Sequence, residues 1–148
     1  MQSCANRNNH RTIRRTIAPP AILTSSRKGE YVQTVLIVDD DPSHLKIYSW
    51  MIERGGFRTV PALVQRNAVD LPEAEKVDLA VLDYRLGAGV SAVDIAKRLR
   101  STYPNTPILL LSDLYGMPED IAQYVSGFVR KGEPQQLLDT IASTLRAA

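Results

Sequence analysis

The sequence predicts an α/β fold in which five parallel strands form a doubly wound sheet with helices on both faces. Apolar runs of strand length alternate five times with segments of helical periodicity, an order typical of successive βα units. The runs at 35–38 and 77–82 are almost continuously apolar, which indicates strands that are buried on both faces. Right-handed crossovers then place helices on both sides of the sheet.

The first strand, over 34–39, is followed by a helix with clear start and stop signals. Asp41 is a favourable N-cap, and Pro42 suits the first helical position. Apolar residues recur at helical spacing after Pro42, and Gly55-Gly56 ends the helix. The cap accounts for Asp41, but it does not account for the two acids that precede it.

A second strand is expected over 57–62. Pro61 lies within it, and because proline cannot donate to the hydrogen-bond ladder we expect this strand at the edge of the sheet. A weak helix over 63–69, broken near Pro72, should follow. The remaining elements continue the alternation, with strands over 77–82, 107–111 and 127–130 and helices over 91–102, 118–125 and 134–145.

Residues 1–31 differ in composition from the remaining chain, residues 32–148. Six basic residues and one acid fall within the first thirty positions, which leaves twelve basic and fifteen acidic residues for the rest. The segment has no usable periodicity, so we predict a basic, disordered tail ahead of one folded domain. A solvated extension, an organelle transit peptide and non-specific binding to nucleic acid are all compatible with its charge.

The composition argues against a disulfide-linked, a zinc-binding and a membrane-spanning protein. The single cysteine, Cys4, cannot form an internal disulfide, and no cysteine and histidine residues have the spacing of a zinc site. No apolar run approaches the length of a membrane span. We therefore expect a soluble, cytoplasmic protein with no membrane contact.

Polar side chains follow four of the predicted strands at the point where each strand ends. They are Asp39 with Asp40, Asp83, Ser112 and Lys131. Since ligands bind at the shared carboxyl edge of open parallel sheets, we expect these groups to lie together there. Crowded carboxylates resist joint ionisation unless a cation joins them, and hard oxygen donors suit Mg²⁺. A carboxylate beside Mg²⁺ and an ammonium group can attack a phosphoryl group and form an acyl phosphate.

Four motifs, in this order, resemble the receiver domain of two-component response regulators. They are Val-Leu-Ile-Val-Asp-Asp-Asp at 35–41, Leu-Asp-Tyr-Arg-Leu at 82–86, Ile-Leu-Leu-Leu-Ser at 108–112 and Gly-Phe-Val-Arg-Lys at 127–131. The resemblance covers nearly all of the chain outside the basic tail. It implies a flavodoxin-like sheet order of 2-1-3-4-5, with Asp83 as the phosphoacceptor.

The resemblance also implies how magnesium would be bound. Asp40 and Asp83 would be direct carboxylate ligands of Mg²⁺, and the backbone carbonyl of Arg85 would complete the protein ligands. Asp39 would act mainly through bound water.

Three further residues would handle the phosphoryl group and the signal. Lys131 would pair with the phosphoryl group, and Ser112 would be the switch hydroxyl that bonds to it. Phe128 matches the aromatic position that turns inward on activation, although it could equally serve as a core residue.

Several positions depart from the receiver pattern. Gly87 stands where a proline usually follows the acceptor by four residues, and Gly132 replaces the proline that usually follows the lysine. Ala92 replaces a glycine, and Asp113 replaces a small residue, so that an acid could repel or partly block the phosphoryl group. The interval from 112 to 131 is also shorter than usual, so we expect a short fourth helix.

These features predict a single-domain receiver that takes its phosphoryl group from a phosphohistidine on a histidine kinase or a histidine phosphotransfer protein. It would signal by contact with a downstream protein. A homodimer is also compatible with the sequence. It would assist its own phosphorylation and hydrolysis but would not be a turnover enzyme. The alternative is a degenerate receiver that binds its partner regardless of phosphorylation.

Two other classes of protein are disfavoured. A metal-dependent phosphatase with an aspartyl nucleophile needs a second acid two residues beyond it, and after Asp83 that position holds Arg85. Nucleic-acid binding by the tail would be non-specific, because the tail lacks interleaved aromatic residues and a recognition helix.

Overall fold

A computed structural model of the chain describes residues 29–66, 68–87 and 89–148. Its centre is a sheet of β1 Thr34–Asp39, β2 Arg58–Gln65, β3 Ala68–Val69, β4 Leu79–Asp83, β5 Ile108–Ser112 and β6 Gly127–Arg130. The described residues also form three helices, α1 Pro42–Arg54, α2 Ala92–Thr102 and α3 Pro134–Ala147. The strand order is β3-β2-β1-β4-β5-β6, and all neighbours are parallel except β2 and β3. The five parallel strands therefore confirm the predicted order of 2-1-3-4-5.

Alternating residues of β1 supply the hydrophobic cores on the two faces of the sheet. Leu36 and Val38 pack on the side of α2, whereas Val35 and Ile37 pack on the side of α1 and α3. Because successive side chains of a strand point to opposite faces, a continuously apolar strand contributes to both cores at once. The helices lie on both faces of the sheet, as predicted.

Residues 63–65 belong to β2 and residues 68–69 to β3, which form a hairpin, so the helix predicted over 63–69 is wrong. β3 returns antiparallel to the end of β2, with Val64 opposite Val69. Both valines are buried, and their β-branched side chains suit a pleated surface better than a helix. Pro61 pairs with β1 on one side and lies in the part of β2 that β3 does not reach. Its missing N–H donor therefore costs no ladder hydrogen bond on that open side.

The helix predicted over 118–125 is also wrong, because residues 119–124 form turns and the rest of 113–126 consists of bends and irregular backbone. Arg100 of α2 holds this segment in place, since its Nε donates to the carbonyl of Tyr124 at 2.8 Å. Ile121 is fully buried and anchors the segment in the core on the α2 side. The short connection between β5 and β6 thus covers the sheet with one apolar anchor and hydrogen bonds from a neighbouring helix.

The predicted disorder of residues 1–31 falls almost entirely outside the described residues. A unit that runs from Tyr31 to Ala148 contains all of the strands and helices given above. In the part of the chain that the structure describes, no helix has both the length and the apolar character that crossing a membrane requires.

A chain shortened to begin at Tyr31 is expected to melt within a few degrees of the full-length protein. Tyr31 is kept because its hydroxyl donates to Asp78 at 2.6 Å, and Asp78 also accepts from the N–H of Thr34 at 2.8 Å at the start of β1. The measurement is the melting temperature by circular dichroism. Asp78→Ala, which removes both contacts, should lower it. A drop of more than about 5 °C on shortening, equivalent to roughly 1 kcal/mol for a domain of this size, would contradict the prediction.

Candidate phosphoacceptor and metal site

Three carboxylates meet at the carboxyl edge of the sheet, where two neighbouring parallel strands end. Asp39 is the last residue of β1 and Asp83 the last of β4, and Asp40 follows β1 directly. Val38 lies opposite Leu82 in the ladder, so the two strands end at the same level. The three aspartates each offer an oxygen that lies within 4.8 Å of the other two. The shared register of two parallel strands is thus what brings the acids together.

Lys131 follows β6 and reaches across β5 to the carboxylates. Its Nζ lies 2.7 Å from Oδ1 of Asp83, and its backbone N–H donates to the carbonyl of Ser112 at 2.7 Å. Asp83 is almost fully buried, and most of the Lys131 side chain is covered as well. The cluster thus combines three carboxylates with one ammonium group, which contacts Asp83.

Burial determines how the cluster takes up protons. It raises the pKa of Asp83, and the hydrogen bond and charge of Lys131 offset only part of that rise. Burial also raises the pKa of Asp39 from 3.8 to about 6, opposed by the Asp41 N–H at 2.9 Å and reinforced by the charge of Asp83. For Lys131, burial lowers the pKa, but the contact with Asp83 outweighs it and the net pKa is raised. The metal-free cluster is therefore electrostatically unfavourable, and a bound cation would relieve it.

Ser112 ends β5 beside the acidic cluster, and its side chain is fully buried. The preceding residue, Leu111, pairs with Asp83 in the ladder. The Ser112 hydroxyl accepts a hydrogen bond from the N–H of Leu114 at 3.2 Å, which leaves its own proton free for another acceptor. Phe128, on the adjacent strand β6, is half-buried against the core on the α2 side. Of the two predicted switch residues, Ser112 therefore lies on the strand next to β4, and Phe128 lies one strand further from the cluster.

A known protein family has the same sequence pattern as the residues around this site. The family model of the response regulator receiver domain matches residues 35–142. The chain belongs to the response regulator receiver family. The resemblance inferred from the four motifs is thereby confirmed.

Individual relatives of this receiver are longer proteins. It is 31% identical over 117 residues to the heme response regulator HssR of Staphylococcus saprophyticus, a match that covers 76% of this chain and 51% of that protein. It is 33% identical over 78 residues to the alkaline phosphatase synthesis transcriptional regulatory protein PhoP of Bacillus subtilis, covering 53% of this chain and 32% of that protein. The chain thus spans about half the length, or less, of these relatives.

Solved structures agree with the receiver fold. CheY4 of Vibrio cholerae superimposes with a TM-score of 0.65 at 25% identity, covering 76% of this chain and 98% of that chain. The response regulator TrrA of Thermotoga maritima, solved in complex with Mg²⁺-BeF, also gives a TM-score of 0.65 at 21% identity, covering 77% and 99%. The α/β sheet with flanking helices is therefore the receiver fold.

The donor set of this receiver fits a magnesium ion. Three carboxylates offer the hard oxygen ligands that Mg²⁺ prefers, and one or two of them suffice when water and phosphoryl oxygens complete the coordination. The carbonyl of Arg85 stays a predicted ligand, while the N–H of Arg85 opposes part of the rise that burial causes in the pKa of Asp83. The site therefore has the composition for Mg²⁺ and for a phosphoryl group beside it.

Two of the departures from the receiver pattern have a local explanation. Asp113 forms an ion pair with Arg85, with 3.0 Å between Oδ1 and Nε, and both side chains are more than half exposed. Its charge is thus partly neutralised and faces solvent, which weakens the expected repulsion of a phosphoryl group. Gly132 has a φ of 88°, a left-handed conformation that is closed to proline.

Two contacts at the site escaped the reasoning from sequence. His44 lies in the first turn of α1, with Nδ1 3.3 Å from Oδ2 of Asp39 and Nε2 3.6 Å from Oδ2 of Asp41. The spacing of three residues from the N-cap could have placed it there, since such pairs lie on one helix face. The N–H of Gly87 donates to Oδ2 of Asp40 at 2.8 Å, and this long-range contact has no local signal.

Proposed function

We propose that this receiver accepts a phosphoryl group on Asp83, with Mg²⁺ bound by the acidic cluster. The donor would be a phosphohistidine of a histidine kinase or a phosphotransfer protein. The observation that carries the proposal is the convergence of three carboxylates and the Lys131 ammonium group at Asp83. Membership of the receiver family and the Mg²⁺-BeF complex of TrrA support it.

The transfer would be a direct displacement at phosphorus. A carboxylate oxygen of Asp83 forms a P–O bond while the P–N bond to the donor imidazole breaks, and the electron pair stays on the imidazole nitrogen. Asp83 becomes an acyl phosphate. Lys131 offsets negative charge on the transferred oxygens, while Asp40 and Asp83 would hold the metal ion directly and Asp39 would act mainly through bound water. Bound Mg²⁺ would neutralise charge and orient the phosphoryl group.

We propose that the phosphorylated chain is itself the signal, so the protein would be a phosphoacceptor and not a turnover enzyme. We propose a cytoplasmic location for it. The signal would pass by contact with a downstream protein. Tyr115 is 89% exposed, and the guanidinium carbon of Arg130 lies 4.3 Å from the centroid of the Tyr115 ring. These two residues line one surface pocket together with the half-buried Phe128. Movement of Phe128 would alter that surface directly.

Incubation of the full chain with acetyl phosphate and Mg²⁺ tests the proposal. Intact-mass measurement should show the addition of one phosphoryl group, and EDTA should prevent it. A degenerate receiver that binds its partner regardless of phosphorylation would show no added mass in either condition. That outcome would contradict the proposed function.

Ser112→Ala is expected to leave phosphorylation intact and to weaken the structural response to it. Ser112 ends β5, the strand that pairs with β4 next to Asp83, so its hydroxyl proton could bond to a phosphoryl oxygen on Asp83. Such a charge-assisted bond is worth roughly 1.5–3 kcal/mol, enough to shift a two-state equilibrium by about one or two decades. The measurement is amide hydrogen exchange over 111–131, with and without beryllofluoride.

Ser112→Thr, which keeps the hydroxyl, serves as the matched control and should respond as the wild type does. The coupling is refuted if the wild type shows no change over 111–131. It is refuted equally if Ser112→Ala changes as much as the wild type.

A further inference from the structure

The backbone of the loop after the acceptor touches the carboxylate of Asp40. The Gly87 N–H donates to Oδ2 of Asp40 at 2.8 Å. A Cβ added to Gly87 would lie 2.9 Å from the same oxygen, closer than real Cβ atoms approach a neighbour. A proline, which receivers usually carry at this position, has no N–H to donate. Glycine therefore both supplies this hydrogen bond and leaves room for it.

This hydrogen bond holds the least constrained member of the acidic cluster. Asp39 and Asp83 are the last residues of paired strands, and each has a further contact, to the Asp41 N–H and to Lys131 respectively. Asp40 lies beyond the end of β1 and is only partly buried. Among the described residues, the donor that bonds to its carboxylate is the Gly87 N–H.

Electrostatic repulsion would otherwise move Asp40 away from the other two acids. Its oxygen lies within 4.8 Å of oxygens of both Asp39 and Asp83, and like charges at this distance repel in a partly buried site. The side chain can rotate toward solvent, which would take one ligand away from a metal ion. A hydrogen bond to a charged group opposes that rotation.

We propose that Gly87 is a positioning residue for the metal site, holding Asp40 in the cluster before the cation arrives. The inference rests on the proposed Mg²⁺-dependent function and deepens it. Metal affinity would then depend on the conformation of the loop after β4, which Arg85 also ties to Asp113. Groups that orient a ligand commonly contribute about tenfold or more to metal affinity.

The test compares the Mg²⁺ affinity of the full chain with that of Gly87→Ala and Gly87→Pro, by titration calorimetry and amide chemical shifts. Gly87→Ala keeps the N–H but displaces Oδ2, and Gly87→Pro removes the N–H. Both should weaken Mg²⁺ binding by about three- to tenfold. Gly116→Ala is the matched control, because a Cβ there meets no atom within 4 Å, and its affinity should equal that of the wild type.

Melting temperatures in EDTA separate positioning from a structural role. A positioning role predicts unchanged apo stability with weakened Mg²⁺ affinity, and no further loss of affinity when Gly87→Ala is added to Asp40→Asn. The proposal is overturned if both Gly87 variants bind Mg²⁺ as the wild type does, or if Gly87→Ala costs as much affinity in the Asp40→Asn background. Either result would leave Mg²⁺-dependent phosphorylation of the wild type standing, so the two proposals fail separately.

Discussion

Asp83→Asn is expected to abolish the phosphorylation that acetyl phosphate and Mg²⁺ produce in the wild-type chain. The amide that replaces the carboxylate is a poor nucleophile and a weaker ligand for a cation, so both the attacking oxygen and part of the metal site are lost. The Lys131 ammonium, which lies 2.7 Å from Oδ1 of Asp83, also loses its charged partner. Intact-mass measurement after incubation should show no added phosphoryl group.

A nearby acid provides the matched control for this experiment. Asp113 is exposed and pairs with the exposed side chain of Arg85, so Asp113→Asn should still be phosphorylated. Peptide mapping of the modified wild-type chain should place the phosphoryl group on Asp83. If Asp83→Asn is still phosphorylated, the acceptor must be another residue and the assignment of Asp83 is wrong.

Asp39→Asn is expected to stabilise the metal-free protein at neutral pH by about 1–3 kcal/mol. Burial raises the pKa of Asp39 from 3.8 to about 6, so the ionised form is less favourable in the folded state than in the unfolded state. The folded protein therefore binds a proton between about pH 4 and pH 6 that the unfolded chain has already released. Stability contributed by protonated Asp39 is present at low pH and is lost as the pH rises through that window. An asparagine at position 39 cannot ionise, so the variant does not lose stability as the pH rises through this window.

Urea unfolding in EDTA at pH 4.5 and pH 7 measures the effect. The difference between Asp39→Asn and the wild type should be small at the lower pH and large at the higher one. Asp41→Asn is the control of opposite sign, because the Ser43 N–H that bonds to Asp41 at 2.8 Å lowers the pKa of that carboxyl. An Asp39→Asn protein that is no more stable than the wild type at pH 7 would contradict the assigned electrostatics.

The parallel sheet, the receiver resemblance and the place of the acids at the strand ends all follow from patterns in the sequence. Continuously apolar strands such as β1 must be covered on both faces, and only a layered α/β fold does this for several strands in alternation with helices. Once the strands are parallel, their carboxyl ends share one edge, so Asp39 and Asp83 are brought together by strand register. These are consequences of local pattern and of chain direction.

Features that depend on pairing between distant segments became visible only in the folded chain. The ends of β2 and β3 form a hairpin because Val64 and Val69 pair and are buried, which outweighs a weak local preference for helix. The turns over 119–124 receive a hydrogen bond from Arg100 of another element, a contact that local periodicity could not reveal.

The fine geometry of the site also required the folded chain. Gly87 and Asp40 are 47 positions apart, and the ion pair of Arg85 with Asp113 joins the loops that follow two different strands. Hydrophobic periodicity specifies which residues end at the edge of the sheet, because it reports burial. It carries no information on which polar group each loop then turns toward, because that choice depends on distances and charges that arise only after the strands have assembled.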